Sequence, residues 1–168
     1  MKNNIILIGM PSSGKSTIGA KLAKKIKYDF IDTDTLITTK YGMPLTSIID
    51  ERGYDAFMEI EGETGATLKV EKSVIATGGS MVLMSNAMEN LKSIGTIVFL
   101  DAPLNLLESR LEKTLHTRGV ATPTPMTPAQ ILAYRLPYYQ KYADITINCE
   151  NNKNKTILEI IEALGLEV

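Results

Sequence analysis

Hydrophobic and polar positions along the chain follow two alternating periods. Ile5-Ile6-Leu7-Ile8 is an unbroken apolar run, the pattern of a strand buried on both faces. It stops at Gly9. Apolar positions then return at helical spacing, at Ile18, Leu22 and Ile26 with lysines between, and predict an amphipathic helix over 18–27. Residues 28–32 read as a second strand. Short helical stretches at 36–41 and 45–52 are parted by Gly42 and Pro44. A longer helical pattern spans 54–70 through Phe57, Ile60 and Leu68, with Gly62 and Gly65 expected to weaken its middle. A third strand at 73–77 ends in Gly78-Gly79. Helix at 86–92, strand at 96–100 and a helix through residue 112 follow. Residues 113–128 carry three of the seven prolines and little periodicity, the mark of a functional or disordered segment inside a compact domain. Helix at 128–142, strand at 145–147, a polar loop at 148–154 and a helix at 156–164 close the chain. Strands alternating with helices predict an α/β fold. It has a five-stranded parallel sheet flanked by helices on both faces, and ligands are expected at the carboxyl ends of the strands.

Composition narrows the setting. At 168 residues, 44% apolar and 22% charged, the chain is long enough for one domain, 1–168, with a real core. A net charge of −1 argues against a nucleic-acid surface. The single cysteine, Cys149, excludes an intramolecular disulfide, fits a reduced cytosol and is expected to be a packing residue. Residues 1–4 run directly into the first strand, so no secretory signal is expected. No apolar run approaches the roughly 18 residues of a membrane span. The expectation is a cytoplasmic monomer with neither membrane nor nucleic-acid partner.

Chemistry enters where the first strand breaks. Residues 9–16, G-M-P-S-S-G-K-S, fit G-x-x-x-x-G-K-[ST], the P-loop, between a predicted strand and a predicted helix. Glycines let the backbone wind so that successive N–H groups point at phosphate oxygens, and the helix N-terminus adds partial positive charge. Gly9, Ser12, Ser13, Gly14, Lys15, Ser16 and Thr17 are therefore the expected nucleotide-binding residues. Lys15 is expected to reach the β- and γ-phosphates of ATP, and the Ser16 hydroxyl to ligate Mg²⁺.

By strand order, Asp32, Asp34, Gly78 and Gly79 open onto the same crevice as the P-loop. One aspartate suits Mg²⁺ through water and the other suits orienting or deprotonating an attacking hydroxyl. If strand geometry persists, the two share a face; the alternative is that they cap the next helix. The glycine pair is either a turn or a place where substrate approaches backbone N–H groups. Four arginines stand against fourteen lysines, so each arginine is a candidate for a planar partner. Arg118, in the Pro/Thr stretch, is placed as a lid arginine over the γ-phosphate, and Arg135 as a clamp for a substrate carboxylate or phosphate. His116, the only histidine, supports neither a His-based metal site nor a Ser/His/Asp triad. Glu59, Glu61 and Glu63 read as a solvated face. Met10, Met58, Met81 and Met84 read as mostly core; three of them stand next to motif residues, where the alternative is that they line an adaptable pocket.

Together these residues resemble the shikimate kinase family over nearly the whole chain. The P-loop segment 9–19, F-I-D-T-D at 30–34 and I-A-T-G-G at 75–79 look like its P-loop, aspartate and glycine motifs. R-L-P-Y-Y-Q-K-Y-A-D at 135–144 is similar to its R-x-P-L-Y-x-x-x-A-D signature. The resemblance implies a P-loop NTPase three-layer sandwich like that of nucleoside monophosphate kinases. It implies a substrate-binding helical region at 34–70, a lid at 113–126, and transfer of the ATP γ-phosphoryl group to a hydroxyl of shikimate. On matching positions, Lys15 and Ser16 hold phosphates and Mg²⁺, Asp32 holds Mg²⁺ through water, and Asp34 binds and activates the acceptor. Gly79 contacts substrate, Arg118 is the lid arginine, Arg135 the carboxylate clamp, and Arg110 packs on adenine.

The departures lie on the acceptor side. The family follows the position of Phe57 with an arginine that also grips the carboxylate; here it is Met58. The acidic residue usual at Tyr54 is absent, the third glycine of the glycine motif is Ser80, and Gly119-Val120-Ala121 follows Arg118 where proline and leucines are usual. Loss of one charge-assisted contact costs on the order of 2–5 kcal/mol of binding. The asymmetry keeps two alternatives beside shikimate phosphorylation: a related kinase of another small hydroxy acid, polyol or amino-acid alcohol, and a nucleotide-binding module without turnover.

Overall fold

The computed structural model describes residues 2–112 and 120–168. Five parallel strands form one sheet in the order β2-β3-β1-β4-β5. β1 (Asn4–Ile8) is central and wholly buried, which is why it is continuously apolar from Ile5 to Ile8 rather than alternating, and why the amide of the buried Asn4 is hydrogen-bonded to Val70 O, Ile94 O and Ser73 N. Its Ile6 pairs with Ile75 of β3 (Ser73–Ala76) on one side and Ile97 of β4 (Gly95–Asp101) on the other. β2 (Asp29–Asp32) and β5 (Ile145–Asn148) are the edges and carry the polar residues.

Eight helices are described. They are α1 (Lys15–Ile26), α2 (Thr33–Tyr41), α3 (Leu45–Arg52), α4 (Tyr54–Ala66), α5 (Ser85–Ile94), α6 (Leu104–Glu112), α7 (Pro128–Tyr142) and α8 (Lys153–Leu164). α7 starts on a capping box. Thr127 Oγ1 accepts from Gln130 N, and the Gln130 side chain accepts from Thr127 N, with Pro128 at the first helical position. Its Tyr139 ring stacks on Phe99 of β4 at 5.0 Å, which seats the helix on the sheet. Among the described residues no helix is long and apolar enough to cross a membrane.

α4 departs from the sequence pattern. It ends at Ala66, short of residue 70, and its glycines are packing positions rather than weak points. A Cβ on Gly65 would stand 2.5 Å from the Ala87 Cβ of α5 and 3.0 Å from Met81 Sδ, so Gly65 sets how closely α4 and α5 approach. Two cores result. The larger surrounds the sheet. The smaller joins α2, α3 and α4 through Ile37, Ile48, Phe57, Met58 and Ile60, with Ala121 packed among them. Met10 and Met81 are buried in the first, Met58 in the second, and Met84 packs half-buried against both. Cys149 is buried in the first, as expected.

Candidate active site

The P-loop closes over the carboxyl end of β1. Gly9 has φ +153°, and a Cβ there would meet Leu100 O at 2.8 Å. Gly14, at φ +101°, caps α1 without a side chain and leaves the first-turn N–H groups of that helix to a ligand. α1 begins at Lys15, three residues before the apolar pattern resumes. Lys15 Nζ donates to Gly9 O at 2.7 Å and Met10 O at 2.8 Å, so the ammonium lies folded on the loop that carries it.

Asp32 unites the two readings open in the sequence. Its Oδ2 accepts from Ser16 Oγ at 2.5 Å, and its Oδ1 accepts from Asp34 N at 2.9 Å and caps α2. The strand stops at Asp32 and the helix starts at Thr33, so Asp34 belongs to the first turn of α2. The shared strand face expected for the two aspartates does not form. Helical geometry turns Asp34 toward the glycine pair instead.

Gly78 and Gly79 form the floor where four elements meet. Gly78 N donates to Thr33 Oγ1 at 2.9 Å. A Cβ on Gly78 would collide with Glu61 Oε1 and stand 2.8 Å from Asp34 Oδ1. A Cβ on Gly79 would stand 2.9 Å from Pro11 and 3.1 Å from Arg135 Nη1. Arg135 is only 2% exposed, and its Nη2 donates to Ala121 O at 2.8 Å. The Tyr139 hydroxyl donates to Gly79 O at 3.0 Å, and burial pushes that phenol up to about 12, so it stays a donor.

Asp34, Gly79 and Arg135 face one cleft of about 660 Å³ between the P-loop, α2, α4 and α7, and Gly78, expected at the substrate, is buried behind its wall. Ser12, Gly14, Lys15, Ser16 and Thr17 line one end, and Asp34, Gly79 and Arg135 the other. Arg110 stands at the nucleotide end, its Nη1 donating to Ser12 O at 3.1 Å and its Nη2 to Asn151 Oδ1 at 3.2 Å. Val120 and Ala121 add to the wall. Arg118 and His116, with the rest of 113–119, lie outside the described residues.

Sequence reasoning missed two charged lining residues. Glu61 is 1% exposed, against the expected solvated face, and its carboxylate accepts from Ser80 Oγ. Grouping Glu59, Glu61 and Glu63 used the period of a strand. On a helix Glu61 lies four residues from Phe57 and shares its inward face. Desolvation raises the Glu61 carboxyl to about 7, and nearby Asp34 pushes the same way; Ser80, Arg135 and Lys15 oppose the rise. Lys153 at the start of α8 also lines the cleft, its Cε 3.6 Å from where a Gly14 Cβ would stand.

The donors beside the P-loop suit a hard cation. A hydroxyl and a carboxylate meet at Ser16 and Asp32, both oxygen ligands. Among the described residues no group of three His, Cys, Asp or Glu is placed to hold a metal alone. A Mg²⁺ shared with phosphates and water asks for less than such a cage.

The family model described as "Shikimate kinase" matches residues 11–165. A shikimate kinase from Clostridium botulinum (strain Okra / Type B1) is 37% identical over 163 residues, 95% of each chain. One from Francisella tularensis subsp. novicida is 35% identical over 170 residues, 98% of this chain and 95% of that one. The solved shikimate kinase from Acinetobacter baumannii in complex with shikimate superposes with a TM-score of 0.87 at 26% identity, covering 98% of this chain and 93% of that chain. A P-loop, its paired aspartate and a glycine floor on this sheet order, with relatives matching end to end, make the chain a member of the shikimate kinase family.

Proposed function

We propose that the protein transfers the γ-phosphoryl group of ATP to a hydroxyl of shikimate, giving shikimate 3-phosphate. The observation that carries this is the single cleft. Phosphate-binding backbone and Lys15 line one end, and a carboxylate, a glycine floor and a buried guanidinium line the other. Full-length family membership supports the acceptor.

In this reading the loop from Gly9 to Thr17 holds the triphosphate through backbone N–H groups. Lys15 leaves the loop carbonyls for the β- and γ-phosphate oxygens. Ser16 and Asp32 would hold Mg²⁺, and the cation would supply neutralisation of phosphate charge. Asp34 accepts the hydrogen bond of the attacking hydroxyl and draws its proton as the bond to phosphorus forms. Arg135 pairs with the acceptor carboxylate, and Gly79 lets the acceptor ring approach the backbone; the open side of Gly78 is taken by Glu61 and Asp34. Arg110 covers the nucleotide, and Arg118 serves as the lid arginine. Residues 34–70 as acceptor region, 113–126 as lid, and a cytoplasmic monomer are part of the same proposal.

The test is ADP release from Mg-ATP with and without shikimate, read through a coupled assay. Efficient shikimate-dependent turnover supports the proposal. ATP binding without shikimate-dependent turnover overturns it. That result directs the search to other small hydroxy acids, polyols and amino-acid alcohols.

A further inference from the structure

Glu61 is the one acidic group of the cleft, among the described residues, that the phosphoryl-transfer reading does not use. Its surroundings are unusual for a carboxyl. It comes from α4, sits beneath Gly78, and takes its hydrogen bond from Ser80 Oγ. Position 80 is where this chain departs from the glycine motif. Position 58, where the family resemblance leads one to expect a second guanidinium, holds Met58, packed into the core of α2, α3 and α4. The groups facing Glu61 are therefore few. Asp34 approaches from α2, Arg135 and Tyr139 from α7, Lys15 from α1, and Tyr54 lies on its own helix. Lys15 is turned onto Gly9 O and Met10 O, and Arg110 onto Ser12 O and Asn151, all at the nucleotide end. Arg135 is the guanidinium left at the acceptor end among the described residues, and its charge acts on Glu61 through space.

We propose that Glu61, held by Ser80, is a specificity-determining residue: carrying a proton it leaves the Arg135 charge to an anionic acceptor, and ionised it competes for that charge. A Glu61 carboxylate would place a second negative charge beside Asp34, in the cleft that an acceptor carboxylate has to enter. The protonated acid removes that repulsion and keeps one O–H donor for the pocket. Burial holds the proton on Glu61 to about 7, so the exchange falls in the physiological range. Ser80 works against the proton, because its hydroxyl donates to the charged form. This chain thus uses a serine–glutamate pair, instead of a second arginine, to set how its acceptor pocket treats an anion. The inference rests on the reading of the acceptor as the carboxylate-bearing shikimate.

The experiment is steady-state kinetics on the full chain from about pH 6 to about pH 9, with Mg-ATP saturating and shikimate varied. In the native protein KM for shikimate rises on the order of fivefold across a midpoint near neutrality, while KM for ATP does not share that limb. In Glu61→Gln, which keeps the shape of the neutral acid, the low-pH KM persists throughout. In Ser80→Gly the midpoint moves to higher pH. A flat shikimate KM in the native protein, or an equal rise in Glu61→Gln, overturns the proposal. Absence of any shikimate turnover instead overturns the acceptor assignment. The pair is then decided by carboxyl ¹³C NMR of the native chain, with Glu61→Gln identifying the signal. Titration near neutrality supports the proposal, and titration in the ordinary glutamate range overturns it.

Discussion

Replacing Gly78 by alanine tests whether the glycine floor is a packing joint between catalytic groups or an ordinary turn. Gly78 has no left-handed φ, so alanine adds no backbone strain, and the whole cost is steric. The new methyl group would overlap Glu61 Oε1 and press on Asp34 Oδ1 at 2.8 Å. Neither group has an easy escape. Glu61 is backed by Ser80, and Asp34 sits in the first turn of α2, whose Thr33 Oγ1 accepts from Gly78 N itself. Overpacking of this kind costs about 1–3 kcal/mol. At about 2–4 °C per kcal/mol for a domain of this size, the melting temperature falls by about 2–12 °C. Catalysis suffers more. A displacement of Asp34 on the order of 1 Å costs about 100-fold in rate. The expected result is a folded protein, by circular dichroism at assay temperature, with kcat/KM for shikimate down about 100-fold in the coupled ADP-release assay. A Gly78→Ala protein with native kcat/KM would refute the placement of Asp34 against this floor, whatever its melting temperature.

Other expectations follow from the same site. Lys15→Met is expected to abolish turnover while leaving the melting temperature within a few degrees, since the ammonium donates to carbonyls of the loop that carries it; an active variant would remove Lys15 from the mechanism. Asp34→Asn is expected to lower kcat by about 10²–10⁴ while ATP affinity, read by calorimetry, survives; loss of ATP affinity instead would assign Asp34 to the metal. Glu61 also links stability to pH. Its folded value of about 7 stands above the ordinary 4.5, so the native state holds a proton that the unfolded chain releases. The stabilisation is fully present below about 4.5 and is lost as pH rises through about 7, with an upper size of about 3 kcal/mol. Urea midpoints measured across that window should fall for the native protein and stay flatter for Glu61→Gln; parallel profiles would count against it.

The sequence by itself determined the order of elements, the class of fold and the nucleotide end of the site. Each is a local property. An apolar run such as Ile5-Ile6-Leu7-Ile8 can be satisfied only between other strands, and the P-loop is built from consecutive residues whose backbone does the binding. The aspartate and glycine motifs were legible because strand ends gather at one edge of a parallel sheet. What each of them touches was not legible. Asp32 turned out to join Ser16 and to cap α2 at once, because β2 hands directly to a helix there. Gly65 became the contact of α4 with α5 rather than a flaw in a helix, since only the crossing of the two helices shows what a Cβ would strike. Glu61 was hidden most deeply. Its burial depends on which face α4 turns to Gly78 and Ser80, and its proton on Asp34, Ser80, Arg135 and Lys15, residues 27, 19, 74 and 46 positions away in the sequence. Charge and desolvation act through space, so the electrostatics of the acceptor end were decided only when the chain had folded.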